Sequence, residues 1–314
     1  FKIRVADDGI YRVPYQVLAS VGIPIGSVPA SQFRLYRYGV QEPIFVTTDG
    51  VFGSQDYIEF FGEKNRDVVD NHLFSNPAAE NLNPTYSLFN DTAIYYLIWE
   101  TTSQPLRYAS LPNDLNNLPP KEDYCWFATQ QLYTTSFFKR QRSGEITFSW
   151  FEGEGFCSNP TTSSTTTLTP KKLYAAGPPA NVTVRYACGL GQHQQRITVN
   201  DTVFAEDAFI NWKVVERSFQ VPLSLIATNA KVKVQSVLGG NDRYSLPGVW
   251  LRYSRQFDFD NAEYAAFALD ASLDEQYLEI QAFNISSGAP VLFDLTNKVR
   301  LQTTVEGGLV KAKI

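Results

Sequence analysis

Cys188 and His193 stand five residues apart and are the first pair whose types could do chemistry. A thiolate made by an adjacent imidazole attacks acyl carbon, and such a pair is the minimum of a cysteine hydrolase. The plainer reading puts Cys188 at the end of a strand, VRYAC, with His193 in the polar turn GQHQQR that follows. Val184, Tyr186 and Cys188 then share one apolar face, and substituting Cys188 alters stability rather than an activity. Glu152 and Glu154 in FEGEGF lie two apart, so on a strand they share a side and raise one another's pKa. The glycines at 153 and 155 favour a turn or bulge there instead. DGVFGSQD, from Asp49 to Asp56, has carboxylates at its ends but Val51 and Phe52 where an oxygen-ligand loop needs donors, so it reads as a hairpin loop. Trp212, Trp250 and Tyr253 are the candidate sugar-stacking residues, with a place in the core as the plainer alternative. No GxSxG elbow, phosphate-binding glycine loop, HExxH or CxxC spacing occurs. The residues therefore name no catalytic group, no metal site and no cofactor.

The composition agrees with a β-rich, non-catalytic module. Of 314 residues, 14% are aromatic and only 19% charged, which suits pleated surfaces and excludes long disorder. A net charge of -5 argues against nucleic acid, whose phosphates call for a basic patch. No apolar run approaches a membrane span. Cys125, Cys157 and Cys188 are an odd, sparse set that permits one disulfide and one free thiol without choosing the pair. Few lysines, an acidic balance and sequons at Asn90, Asn181, Asn200 and Asn284 point to an extracytoplasmic protein. The chain opens in mid-strand at Phe1 without a signal peptide, as a mature or trimmed piece would.

Two units position these residues. FKIRV alternates with period two, Asp7-Asp8-Gly9 turns it, and IYRV returns. Pro14 opens a short helix with Val17, Leu18 and Val21 as its apolar stripe and Gly22 as its stop. FRLYRY, PIFV, DYIEFFG and AIYYLIWE follow as strands, the last a central one. LPNDLNNLPPKED, from Leu111 to Asp123, reads as an exposed linker. Beyond it, ITFSW, VTVRYA, RITVN, KVVERSFQV, KVKVQSV, VWLRYSRQF, AAFAL, QYLEIQAF, PVLFDL and VRLQTT are short strands separated by turn residues. TTSSTTTLTP reads as a surface loop. The fold class is thus mainly β: a small β-rich N-terminal domain with one short helix over 1–118, then an antiparallel, jelly-roll-like β-sandwich over 122–314.

Taken in order, DDGIYRVPYQVLASVGI, QFRLYRYGVQEP, DYIEFFGEKN, YSLFNDTAIYYLIWE, GEGF, VNDTVF, VWLRYSRQFDF and PVLFDLT form a series along nearly the whole chain. That series resembles the region preceding the peptidase domain in gingipain-family cysteine peptidases, including the sortase-like members of type IX secretion systems. The resemblance implies an accessory region, scaffold or prosegment-like, of a secreted or cell-surface protein whose Cys–His peptidase domain lies beyond Ile314. It implies that domain as the partner, with secretion-system components as further partners, and it carries no catalytic residue onto this chain. A carbohydrate-binding β-sandwich module is the alternative, on fold analogy.

Overall fold

A computed structural model of the chain describes residues 1–139, 141–142, 145–146 and 153–314. Of the expected strand at 146–150 only Ile146 falls within them, and Glu152 lies outside.

Alternation in FKIRV buries Val5 and leaves Lys2 and Arg4 outside. This strand, Lys2–Val5, forms one edge of a sheet that continues through Ala93–Trp99 and Phe33–Arg37 to Val40–Glu42. A second sheet runs Gly9–Pro14, Tyr57–Gly62, Phe45–Val46. Phe33, Leu35, Ile58, Phe60, Tyr95 and Leu97 fill the space between them. Ala93–Trp99 is central in its sheet, as expected, yet Tyr96, Ile98 and Trp99 are exposed, so only one face is covered. The helix spans Tyr15–Ser20 directly after Pro14, and Gly22 takes a φ of 78° beyond its end. Of its expected stripe only Leu18 is buried, because six residues offer the core less than two turns. Val17 and Val21 stay half exposed.

Eight of the described strands between Cys125 and Arg255 form an antiparallel sandwich. One sheet orders Ser163–Leu168, Ala230–Ser236, Gln192–Val199, Thr202–Ile210, and the other Lys213–Val221, Ala180–Cys188, Tyr244–Arg255, Cys125–Leu132. Val182, Val184, Tyr186, Ile197, Val232 and Leu251 are among the inward residues of its core. The threonine-rich stretch is an edge strand rather than a surface loop: Thr166 and Leu168 are buried, because β-branched threonine suits a pleated edge when alternate positions face the core.

The chain beyond the sandwich gathers a further core around Phe257, Phe259, Leu278, Ile280, Leu301 and Val310. AAFAL contributes one antiparallel bridge, Ala268 to Trp126, instead of a strand, and its Phe267 packs against Phe257 and Phe259. The proline-rich stretch is fastened at both ends. Ala109–Leu111 pairs in parallel with Val299–Leu301, and Asn113 donates to Thr304 Oγ1 and the Lys311 carbonyl, each at 2.9 Å. At the far end the Glu122 N–H donates to the Tyr277 carbonyl at 2.8 Å.

Candidate functional site

Cys188 ends its strand with a fully buried thiol, and Val184 and Tyr186 are fully buried with it, so the expected apolar face is present. The alternate residues Arg185 and Ala187 are buried too, because residues 78–82 cover the sheet's other face. Arg185 donates to the Ala78 carbonyl at 2.9 Å and to the Asn81 carbonyl at 2.5 Å. Desolvation, then the Asp242 and Asp207 carboxylates, push the Cys188 thiol far above its ordinary range. Burial pushes Cys125 up to about 12 and also raises Cys157. All three cysteines are free and buried, so no disulfide forms. A nucleophile requires a stabilised, accessible thiolate, and none of these environments provides one.

His193 is committed to structure. Its Nδ1 lies 2.7 Å from Asp242 Oδ1 and its Nε2 3.0 Å from the Gly189 carbonyl. Both partners are acceptors, so each ring nitrogen that carries a proton donates to the one it faces. Asp242 also accepts from Ser236 Oγ at 2.6 Å, Gln195 Nε2 at 2.7 Å and the Gln194 N–H at 3.0 Å. Burial works against its charge, but the hydrogen bonds from Ser236, Gln194 and His193 outweigh it and hold the carboxyl below its usual range. The network fastens the loop ahead of Tyr244–Arg255 to the neighbouring sheet.

The three aromatic candidates are not brought together. Tyr253 is 1% exposed, and its hydroxyl accepts from the Lys171 N–H at 2.9 Å. Trp250, three positions earlier on the same strand, points to the opposite face and lies over Gly248, where a Cβ would meet the indole at 3.0 Å. Trp212 sits in the turn after Thr202–Ile210, against Phe138 at 5.5 Å between centroids. Trp250 pairs with Thr183, whereas Trp212 adjoins Lys213, which pairs with Cys188 five residues further along that strand. At ~3.3 Å per residue, roughly 17 Å of strand separates the two tryptophans, too far for one sugar ring to bridge.

The other expected motifs are turn chemistry. Asp56 Oδ2 accepts from the Gly53 N–H at 2.7 Å and Oδ1 from Thr47 Oγ1 at 2.7 Å, closing the hairpin loop. Glu154 lies between glycines of positive φ and bridges Asn81 through its backbone. Among the described residues no group of three His, Cys, Asp or Glu is disposed to hold a metal ion, and no helix is long and apolar enough to cross a membrane.

One polar recess went unnoticed in the sequence. Arg196, Thr198, Asp201, Val203, Lys233 and Gln235 line about 180 Å³ on the outer face of the sandwich. The signal was present in the outward positions of RITVN and KVKVQS. Its volume is below the ~300 Å³ at which ligand pockets usually begin, and Arg196 is already engaged by Glu206 at 2.7 Å. The arrangement offers hydrogen-bond donors but no reacting group.

No protein-family model and no curated protein matches the sequence. Among solved structures, dimeric latent PorU from Porphyromonas gingivalis is similar over 99% of this chain, with a TM-score of 0.61 at 13% identity. This chain has the fold of that part of PorU. It spans only 30% of the PorU chain. The carbohydrate-binding module CBM36, in complex with calcium and xylotriose, aligns with 40% of this chain and 98% of its own at a TM-score of 0.23 and 11% identity. SGBP-B of the Bacteroides ovatus mixed-linkage glucan utilization locus, in complex with mixed-linkage heptasaccharide, aligns with 79% of this chain and 70% of its own at 0.19 and 9%. Scores that low carry no argument about this chain.

Proposed function

We propose that the chain is a non-catalytic accessory region, a rigid scaffold, of a larger secreted or cell-surface protein of the gingipain-like sortase type. The observation that carries the reading is the likeness to PorU over 99% of the chain, which takes in the N-terminal unit, the sandwich and the last strands together. The chemistry described above is consistent with that reading: three buried thiols and a histidine held by its carboxylate offer no nucleophile. In this reading residues 1–118 and 122–314 are its two parts, and their role is to orient a cysteine peptidase domain of the same polypeptide. Secretion-system components are its further partners.

An antibody against the chain tests this on the native protein. It should recover, from cell-surface or secreted fractions, a cysteine-dependent peptidase activity that travels with a polypeptide larger than 35.4 kDa. A native species of this mass with no peptidase accompanying it overturns the proposal. Retention on immobilised polysaccharide, lost on Trp250→Ala or Trp212→Ala, would favour a glycan-binding role instead.

A further inference from the structure

The two sheets of the N-terminal unit leave a recess along one edge of their shared core. Lys2–Val5 is the edge of one and Gly9–Pro14 the edge of the other, and a tight turn at Asp7–Asp8 joins them. The two strands do not pair with each other. Between them lies a groove of about 350 Å³, walled by Ile3, Val13, Val17, Leu18, Val21 and Leu97.

The register shows which backbone groups point out of the sheets. The Phe1 amine donates to the Leu97 carbonyl at 2.8 Å and the Leu97 N–H returns to the Phe1 carbonyl, so Phe1, Ile3 and Val5 bond inward. The N–H and C=O groups of Lys2 and Arg4 therefore point out of the sheet. On the opposite strand the Tyr15 N–H donates to the Asp56 carbonyl, which places Val13 and Tyr11 in inward pairs and turns the backbone groups of Ile10 and Arg12 out of the sheet. Two rows of unpaired backbone thus flank one apolar floor.

The charge on the rim is one-sided. Lys2 and Arg4 are exposed on the outer face, and neither makes an ion pair among the described residues, whereas Arg12 is bound to Glu59 at 2.7 Å. Asp8, at the closed end, is already bound to Arg66.

We propose that this groove receives an extended peptide segment of alternating apolar and acidic residues, added as a strand to the Lys2–Val5 edge. The pleat supports this composition: a guest strand in register places alternate side chains beside Ile3 over the floor, and the intervening ones opposite Lys2 and Arg4. Backbone pairing supplies affinity, and the floor and rim select the sequence, as in other strand-addition sites. The bland alternative is that Lys2 and Arg4 merely guard an edge against pairing. A guard disfavours every strand, whereas a docking site prefers an acidic one. The inference stands on this unit alone and does not depend on the proposed parent protein.

The test uses the full chain and a fluorescein-labelled nine-residue peptide of alternating Glu and Val. Saturable anisotropy is expected, about tenfold weaker for the Lys–Val counterpart and lost when a proline replaces the central valine. Lys2→Glu with Arg4→Glu should reverse the preference between the two peptides. Val17→Glu, on a half-exposed wall residue, should weaken both while leaving the circular dichroism unchanged. No saturable binding, equal binding of the proline peptide, or equal affinity for both charges overturns the proposal. So does a dimer of the chain that closes through these edges, or binding to phosphatidylglycerol vesicles without peptide binding.

Discussion

Glu59 and Arg300, 241 residues apart in the chain, meet side by side with Arg300 Nε 2.7 Å from Glu59 Oε2. Their side chains are 3% and 7% exposed, and the Arg300 guanidinium lies 4.0 Å from the centroid of the Phe45 ring. The pair joins the second sheet of the N-terminal unit to the strand Val299–Gln302 near the end of the chain.

Removing Arg300 leaves the buried Glu59 carboxylate with Arg12 as its remaining partner, a larger loss than the net worth of the pair itself. Arg300→Met is expected to cost about 3 kcal/mol in urea unfolding, at the low end of the range because Arg12 still reaches Glu59. Adding Glu59→Leu should recover much of that loss, and the coupling is read from the double-mutant cycle. Additive effects of the two substitutions would show the pair to be energetically idle.

Cys125, Cys157 and Cys188 should be silent to a water-soluble disulfide reagent in the folded chain, and all three should titrate once it is denatured. Stoichiometric labelling of a native thiol by Ellman's reagent would show a cysteine environment unlike the buried ones described.

Acid should loosen the sandwich through Asp242. Its folded pKa is depressed below 3.8, so the stabilisation is fully present above that value and is lost as pH falls through the folded pKa. The Tm difference between the wild type and Asp242→Asn should therefore be largest near neutrality and shrink as the pH is lowered below 4. A difference that stays constant down to pH ~2 would dissociate the carboxylate's charge from stability.

Chymotrypsin is expected to nick the chain first at Leu115, in the stretch that carries no strand. The pieces should nonetheless elute together, held by the pairing of Ala109–Leu111 with Val299–Leu301 and by the Glu59–Arg300 contact. Arg300→Met should let them separate more readily. Pieces of the wild type that part without denaturant would show those contacts to be dispensable.

Local pattern was legible where one strand decides its own burial. FKIRV, RITVN and KVKVQSV alternate as their structure does, and the Pro14–Gly22 helix lies where its two flanking residues put it. What escaped was set by partners distant in sequence. Nothing in VRLQ says that Arg300 is buried, because its partner Glu59 and its ring Phe45 come from the far end of the chain. Arg185 likewise reads as an outward residue until residues 78–82 cover it. The edge groove was hidden for a related reason. Periodicity identifies a strand but not which of its sides goes unpaired, and that follows only from the strand order.

The parallel pairing of Ala109–Leu111 with Val299–Leu301 has a bearing on how the protein is made. Synthesis proceeds from the amino end, so the earlier strand emerges long before its neighbour exists; Asn113 waits 200 residues for Lys313. Closing so long a loop is slow, and an unpaired edge is open to the wrong strand in the meantime. The growing chain has therefore to be kept from premature pairing until Val299–Leu301 emerges, and removing Val299–Lys313 would leave Ala109–Leu111 and Asn113 without their partners.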